Sequence, residues 1–168
     1  VLHYKFDEGT GTTALDSSGN GHNGTLVNGP KYTSNQNGIY GKALDFDGVD
    51  DYVTTGNINT GSGGLGVTTS ITVSCWAKSD TENWNHWGML ISKRDSFILS
   101  PVEQGLGKEI RFYVYTSNWA YVGYTPSSIT EWAFYTGIYD GTELKLYING
   151  SLVASGWNGT GTQGNNIN

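Results

Sequence analysis

The sequence is poor in charge, in sulfur-containing residues and in long apolar stretches. Only 14% of its 168 residues are charged, and it contains one cysteine, one methionine and three prolines. The net charge is −6 and no run of lysine and arginine occurs, so the basic patch that nucleic-acid binding requires is missing. No apolar stretch reaches about 18 residues, so we expect no membrane insertion. Cys75 has no partner for an internal disulfide.

Glycine and aromatic residues are abundant instead. The chain has 25 glycines, and aromatic side chains make up 13% of it. Disordered chains lack the bulky side chains that offset the entropy cost of ordering, so this composition predicts a folded domain. No segment has the periodicity of an amphipathic helix. Short runs of β-branched and aromatic residues, separated by Gly and Asn turns, predict an all-β protein.

The spacing of these runs predicts two packed antiparallel sheets. Within 70–78 and 143–148, apolar side chains recur at every second position, which puts them on one face of a strand. Asn149-Gly150 is typical of a type I′ hairpin turn. Many short strands joined by such turns predict an antiparallel β-sandwich, or jelly roll. The predicted strands are 2–6, 43–46, 52–54, 70–78, 89–92, 96–99, 110–115, 121–124, 132–139, 143–148 and 152–154. The predicted core contains Ile71, Val73, Cys75, Phe112, Val114, Leu144, Leu146 and Ile148.

The loop 16–25 is a candidate calcium site. Ca²⁺ binds six to eight oxygens of carboxylates, amide side chains and backbone carbonyls, and glycines let a loop curl so that its carbonyls converge. The candidate ligands are Asp16, Asn20, Asn23 and Thr25. A polar hairpin held by Asx turns explains the same residues, and the spacing of an EF-hand is absent. A second acidic cluster at Asp45, Asp47, Asp50 and Asp51 is better explained by turn capping than by a metal.

Aromatic residues in two loops are candidates for ligand contacts. Trp84, His86 and Trp87 lie in one loop, and Trp119 and Tyr121 lie in or beside another. Exposed aromatic rings with polar tips are enriched at binding sites, and sugars present C–H faces that stack on such rings. The alternative is that these rings cover the edge of a core that is short of aliphatic residues.

One predicted strand has a polar and aromatic face. Arg111, Tyr113 and Tyr115 alternate with apolar residues, so they either line a glycan groove or form a solvated face. Trp76 and Trp132 lie within regular strands, and we interpret both as packing residues.

The chain lacks a recognisable catalytic pattern. Retaining glycosidases place two carboxylates about 5 Å apart, some of them on one strand in a Glu-x-Asp-x-x-Glu segment, and none of the glutamates here belongs to such a segment. No Ser/His/Asp or Cys/His set is apparent. Arg111 with its neighbouring tyrosines leaves a lyase open, but we expect that the protein is not an enzyme.

Five motifs, in order, resemble a known family. They lie at 6–11, 16–26, 41–53, 71–76 and 139–150, the last containing Leu146-Tyr147-Ile148-Asn149-Gly150. Together they resemble the laminin-G-like jelly-roll domain of the concanavalin A-like lectin/glucanase superfamily. The resemblance covers residues 1–155 and leaves 156–168 as a Gly/Asn-rich tail or truncated end. It implies a β-sandwich that serves as an accessory module in extracellular or surface proteins and that binds glycans or a structural calcium.

The chain departs from this family after the hairpin at Asn149-Gly150. Members usually continue with two further strands, and the last carries an acidic residue. Residues 158–168 show no strand pattern, so the final strands are expected to be missing. We expect the open sheet edge to be covered by another copy, by a separate chain or by residues absent from this sequence.

The sequence therefore predicts a non-catalytic, lectin-like module of a larger extracellular or cell-surface protein. Its expected partner is a polysaccharide or glycan, and its expected cofactor is a structural Ca²⁺. A structural or adhesive module that binds protein is the alternative, and a glycan-cleaving enzyme is the weaker one. A glycan array distinguishes the glycan-binding module from the protein-binding module.

Overall fold

The computed structural model describes residues 1–33, 38–55, 70–85, 87–101, 107–156 and 165–166. These residues form fourteen strands and no helix, and all the strand pairs are antiparallel. The all-β prediction is therefore confirmed. No helix that could cross a membrane occurs among them. The chain divides into two compact units, Val1–Gly64 and Leu65–Asn168.

The first unit contains two small sheets. One has the order β1-β2-β5 and the other pairs β3 with β4. The strands are β1 (Thr13–Ala14), β2 (Gly24–Val27), β3 (Lys31–Tyr32), β4 (Leu44–Asp45) and β5 (Tyr52–Thr54). The strand predicted at 2–6 is wrong, because only an isolated bridge joins Tyr4 to Asp16. Phe6 has a φ of 58°, a left-handed conformation that a strand does not adopt.

The second unit is a pair of larger sheets. One has the order β10-β9-β8-β7 and the other β14-β13-β12-β11-β6. The first sheet consists of β7 (Ile91–Lys93), β8 (Phe97–Pro101), β9 (Ile110–Tyr115) and β10 (Trp119–Tyr124). The second consists of β6 (Ile71–Ala77), β11 (Ala133–Tyr139), β12 (Leu144–Ile148), β13 (Ser151–Gly156) and β14 (Asn165–Asn166).

The core of the second unit lies between the inner faces of these two sheets. The predicted core residues Val73, Phe112, Val114, Leu144 and Leu146 are buried there. The other three, at positions 71, 75 and 148, are partly buried and pack against the same cluster. This arrangement is the face-to-face packing of a β-sandwich, as predicted.

The thiol of Cys75 belongs to this packed region. Burial raises the pKa of the Cys75 thiol to about 12. The group therefore stays protonated at neutral pH, and a thiol in this form is unreactive.

The Asn149-Gly150 hairpin forms as the sequence predicts. Asn149 has a φ of 50° and Gly150 a φ of 80°, the two positive values that a type I′ turn requires. Asn149 also accepts a hydrogen bond on Oδ1 from the Phe134 backbone N–H at 2.8 Å. The turn is thus tied to β11 as well as joining β12 to β13.

The prediction that residues 158–168 contribute no strand is wrong at one point. Asn165 and Asn166 form β14, which pairs with Ser155 and Ala154 of β13. Strand pairing uses backbone N–H and C=O groups, so it does not require the apolar side chains whose absence led to the prediction. The boundary between the domain at 1–155 and the tail at 156–168 stays a prediction. The pairing of a strand from another chain with the open sheet edge also stays a prediction.

Of the two tryptophans predicted to be packing residues, Trp76 differs from that role. Trp76 is 40% exposed and lies 5.2 Å from the Phe134 ring, centroid to centroid. Trp76 lies on the outward face of β6, whereas Val73 lies on its inward face. Trp132 is half-buried just before β11 and lines an open cavity of about 260 Å³.

Candidate functional site

A row of aromatic and polar side chains follows the outer face of the β9–β10 hairpin. The strands alternate between buried and half-buried residues, so every second side chain points away from the core. We call this row the aromatic strip. It consists of Arg111, Tyr113, Tyr115, Trp119 and Tyr121.

Strand register brings the strip together as a continuous surface. Tyr115 faces Trp119 and Tyr113 faces Tyr121 across the hairpin. The ring centroids of these two pairs lie 5.2 Å and 5.1 Å apart. Tyr113 also meets Trp119 edge to face at 6.4 Å. Tyr115 lies four residue steps beyond Arg111 along β9, so the strip spans about 14 Å at about 3.4 Å per residue.

Arg111 forms one end of the strip as a fixed cation. Its guanidinium carbon lies 4.5 Å from the ring centroid of Tyr121, which is cation–π distance. Its Nε donates to Glu109 Oε1 at 2.7 Å and its Nη1 donates to the Tyr113 hydroxyl at 3.4 Å. Burial lowers the pKa of Arg111, but the hydrogen bonds to Glu109 and Tyr113 outweigh it and raise the pKa overall. The side chain therefore remains charged and oriented.

The loop tryptophans predicted to bind ligand lie elsewhere. Trp84 is only 7% exposed and belongs to the core, where it meets Tyr135 edge to face at 6.2 Å. This burial does not fit the prediction that Trp84 contacts a ligand, and it matches the packing alternative. Trp87 is 58% exposed and precedes β7, at the opposite edge of the sheet from β10. His86 lies outside the described residues.

Asp16 is the centre of a hydrogen-bonded turn in the first unit. Its Oδ1 accepts from the backbone N–H groups of His3 at 3.1 Å and Ser18 at 2.9 Å. Its Oδ2 accepts from the Ser18 hydroxyl at 2.9 Å and the His22 N–H at 3.0 Å. A carboxylate has about four lone-pair positions, and these bonds use them. Binding Ca²⁺ through Asp16 thus requires some of these bonds to give way, so the carboxylate as folded does not fit that role.

The other three candidate calcium ligands surround this turn. Asn23 Oδ1 accepts from the Asp16 backbone N–H at 2.9 Å, and Asn20 Nδ2 donates to the Val1 carbonyl at 2.8 Å. Thr25 is exposed within β2. The Asx turn of this loop is formed by Asp16, whose Oδ1 accepts from the Ser18 N–H two residues on, whereas the asparagine contacts join more distant positions. Calcium binding at this loop stays a prediction.

The second acidic cluster brings three carboxylates together. Oxygens of Asp47, Asp50 and Asp51 lie within 4.8 Å of one another. Asp47 Oδ1 accepts from the Val49 N–H at 2.8 Å, and Asp51 Oδ2 accepts from the Asp47 N–H at 3.0 Å. These bonds agree with the turn capping that the sequence favoured. Asp45 and two of these residues line an adjacent cavity of about 210 Å³.

The sequence reasoning missed Glu109 and Gly123, which lie beside the strip. Glu109 precedes β9 and pairs with Arg111, while Gly123 faces Arg111 across the hairpin. The alternation of β9 could have found Glu109, because it lies two residues before Arg111 and so falls on the same face of the extended chain. No local pattern marks Gly123, because its position beside Arg111 depends on the register of β9 against β10.

Comparison with known families identifies the fold. Residues 47–168 match a family, Laminin_G_3, that is described as the Concanavalin A-like lectin/glucanases superfamily. The chain belongs to this superfamily. The family resemblance expected from the five motifs is thereby confirmed. A comparison with curated proteins finds no match.

A solved structure of another protein has a similar fold to this superfamily member. It is domain 4 of AbnA, a GH43 extracellular arabinanase from Geobacillus stearothermophilus, in complex with arabinotriose. The two chains share 22% sequence identity with a TM-score of 0.61, over 94% of this chain and 74% of the other. At 22% identity, the similarity establishes only that the two folds are alike.

The side chains of the strip are chemically suited to binding. The strip offers apolar ring faces, three tyrosine hydroxyls and a cation within one hairpin. Among the described residues, the carboxylate that pairs with the strip is Glu109, which Arg111 holds at 2.7 Å. Glycoside hydrolysis requires a pair of carboxyl groups about 5 to 9.5 Å apart. The strip as described contains no such pair.

Proposed function

We propose that this protein is a non-catalytic carbohydrate-binding module whose aromatic strip binds a short segment of a neutral glycan. The observation that carries the proposal is the strip itself, in which four half-buried or exposed rings and one arginine form a continuous outer surface on β9 and β10. Superfamily membership is consistent with it. The arabinotriose complex of a domain with a similar fold supports it.

The strip has the two properties that sugar recognition needs. Sugars bury C–H groups against aromatic rings, and amphipathic rings such as Tyr and Trp are apolar on the face and polar at the tip. The hydroxyls of Tyr113, Tyr115 and Tyr121 lie on the same outer face as the rings. A ligand can therefore stack and hydrogen-bond at the same surface.

The proposal includes an extracellular location and attachment to a larger protein. The arabinanase with the similar fold is extracellular and its matched part is one domain of it. An accessory module of this kind holds its parent protein on a polysaccharide.

Calorimetric titration with a panel of neutral trisaccharides tests the proposal. The panel comprises trisaccharides of arabinose, xylose, glucose and mannose. We expect at least one to bind, and Trp119→Ala to weaken that binding by at least about tenfold, because truncated aromatic anchors commonly cost that much. The affinity of the wild type should change little between about 0.01 M and 1 M NaCl, since a neutral ligand brings no charge to screen.

A matched control separates the strip from general surface effects. Tyr40 is an aromatic residue that is 85% exposed in the first unit, outside the strip, so Tyr40→Ala should bind like the wild type. Equal binding by the wild type and Trp119→Ala would rule out the strip as the site. A blank panel, together with binding of a protein partner that Trp119→Ala abolishes, would make the protein-binding alternative correct.

A further inference from the structure

An ion pair continues the aromatic strip beyond its last ring. Arg111 Nε donates to Glu109 Oε1 at 2.7 Å, and Arg111 Nη2 donates to Glu109 Oε2 at 3.2 Å. The side chains are 18% and 28% exposed. Two parallel N–H···O bonds fix the planes of both groups. The pair is therefore rigid, carries no net charge and reaches solvent at one side.

Gly123 provides the space that this pair occupies. It faces Arg111 across the hairpin. A Cβ at Gly123 would lie 2.7 Å from Glu109 Oε1 and 3.0 Å from Arg111 Cγ. Gly123 is not among the glycines with positive φ, so its backbone does not require glycine. Glycine is required because the ion pair occupies the space that a Cβ would fill.

The pair has hydrogen-bonding capacity left over. A guanidinium has five N–H donors and a carboxylate about four lone-pair positions. The contacts to Glu109 and Tyr113 use three donors of Arg111, and the pair uses two positions of Glu109. Donors and acceptors thus remain side by side at one end of the ring surface. Two adjacent sugar hydroxyls, each both donor and acceptor, match this pattern.

A ligand carboxylate matches it poorly. Glu109 already neutralises Arg111, so an approaching anion meets a like charge beside a cation that is already paired. In a protein with a net charge of −6, no excess positive charge compensates for this.

We propose that the Glu109–Arg111 pair, in the space left by Gly123, is a specificity-determining subsite that selects neutral glycans with two adjacent hydroxyls over glycans that carry carboxylates. This inference rests on the proposed function of the strip. It adds Glu109 and Gly123 to the residues that determine which ligand binds.

Glu109→Gln tests the selectivity directly. The substitution keeps the shape of the side chain but leaves the charge of Arg111 unneutralised. We expect it to weaken binding of the neutral trisaccharide by about tenfold, since a hydrogen bond to a charged group is lost or weakened. It should also create salt-sensitive binding of the trisaccharide of galacturonic acid, which the wild type should not bind. A merely structural role for Glu109 predicts no such gain.

Gly123→Ala tests the same subsite without changing any charge. The added methyl group should displace the Glu109 carboxylate and weaken binding of the neutral trisaccharide, while thermal unfolding stays close to that of the wild type. Glu131→Gln is the matched control, because Glu131 is an exposed carboxylate that is not part of the strip. It should bind both ligands as the wild type does.

The outcomes separate this inference from the proposed function. If Trp119→Ala abolishes neutral-glycan binding but Glu109→Gln and Gly123→Ala do not change it, the strip binds glycans and the subsite is wrong. Wild-type binding of trigalacturonate as tight as that of the neutral sugar would also overturn the subsite. If the wild type binds neither the neutral trisaccharides nor trigalacturonate, both the proposed function and the proposed subsite are wrong.

Discussion

At the scale of single residues, Asp16 determines how the start of the chain is held. Its carboxylate accepts hydrogen bonds from His3, Ser18 and His22, which connects segments up to thirteen positions away in sequence. Burial raises the pKa of Asp16, but these hydrogen bonds outweigh it and hold the pKa below its usual value. The charged form is thus the form that the folded state prefers.

This preference makes the stability contribution of Asp16 dependent on pH. A carboxyl group whose pKa is lower in the folded state stabilises it above the unfolded pKa, about 3.9 for aspartate, and the contribution is lost as the pH falls. Asp16→Ala should therefore lower the melting temperature at neutral pH and flatten its decline below about pH 4. Asp80→Ala, which removes an exposed ion pair with Lys78, should have little effect. An unchanged melting temperature in Asp16→Ala would show that the hydrogen bonds of Asp16 do not stabilise the folded state.

The same variant decides the calcium prediction at this loop. If Ca²⁺ binds through Asp16, EDTA lowers the melting temperature of the wild type and has no further effect on Asp16→Ala, because a bound ion stabilises the native state by mass action. If the hydrogen bonds alone hold the loop, EDTA changes neither protein.

At the scale of elements, Gly137 in the middle of β11 determines how closely the two large sheets approach. A Cβ at Gly137 would lie 2.4 Å from Phe112 Cδ2 on β9 of the opposite sheet. Phe112 is completely buried, so its ring has no solvent into which it can move. The glycine is thus a packing position and not a turn.

Gly137→Ala should destabilise the protein although alanine normally favours a strand over glycine. The entropic advantage of alanine is about 0.5–1 kcal/mol, whereas overpacking a filled core costs about 1–3 kcal/mol. We expect the free energy of unfolding in denaturant to fall. Thr136→Ala, on the outward face of the same strand, should cost less. If Gly137→Ala is as stable as the wild type, the spacing of the two sheets can adjust to an added Cβ, and Gly137 does not determine it.

The elements also show what could be predicted from sequence and why. The strands β5 and β9 match their predicted bounds, because alternation or β-branched residues define them locally. The two-residue strands β1, β3 and β14 have no such pattern, since backbone pairing with a distant segment creates them. The same distinction applies to the site. Arg111, Tyr113 and Glu109 follow from alternation along one strand, whereas the position of Gly123 depends on the register of β9 against β10.

At the scale of the whole molecule, the second unit combines a buried aliphatic and aromatic core with an aromatic outer surface. Phe112 and Val114 fill the core from β9, while Tyr113 and Tyr115 on the same strand face outwards. Rings on the outer face do not contribute to the core, so their concentration on one hairpin needs another reason. We propose that glycan binding is this reason.

NMR titration of the ¹⁵N-labelled protein tests that claim most directly, with the neutral trisaccharide that binds best in the panel. The six tryptophans should give six indole N–H signals. Five of them belong to the environments described above, and Trp157 lies outside the described residues. If glycans bind the strip, the Trp119 indole and the amides of β9 and β10 shift on titration, while the buried Trp84 and the distant Trp76 do not. Shifts confined to the loop around Asp16 or to the cavity beside Trp132, with Trp119 unchanged, would contradict it.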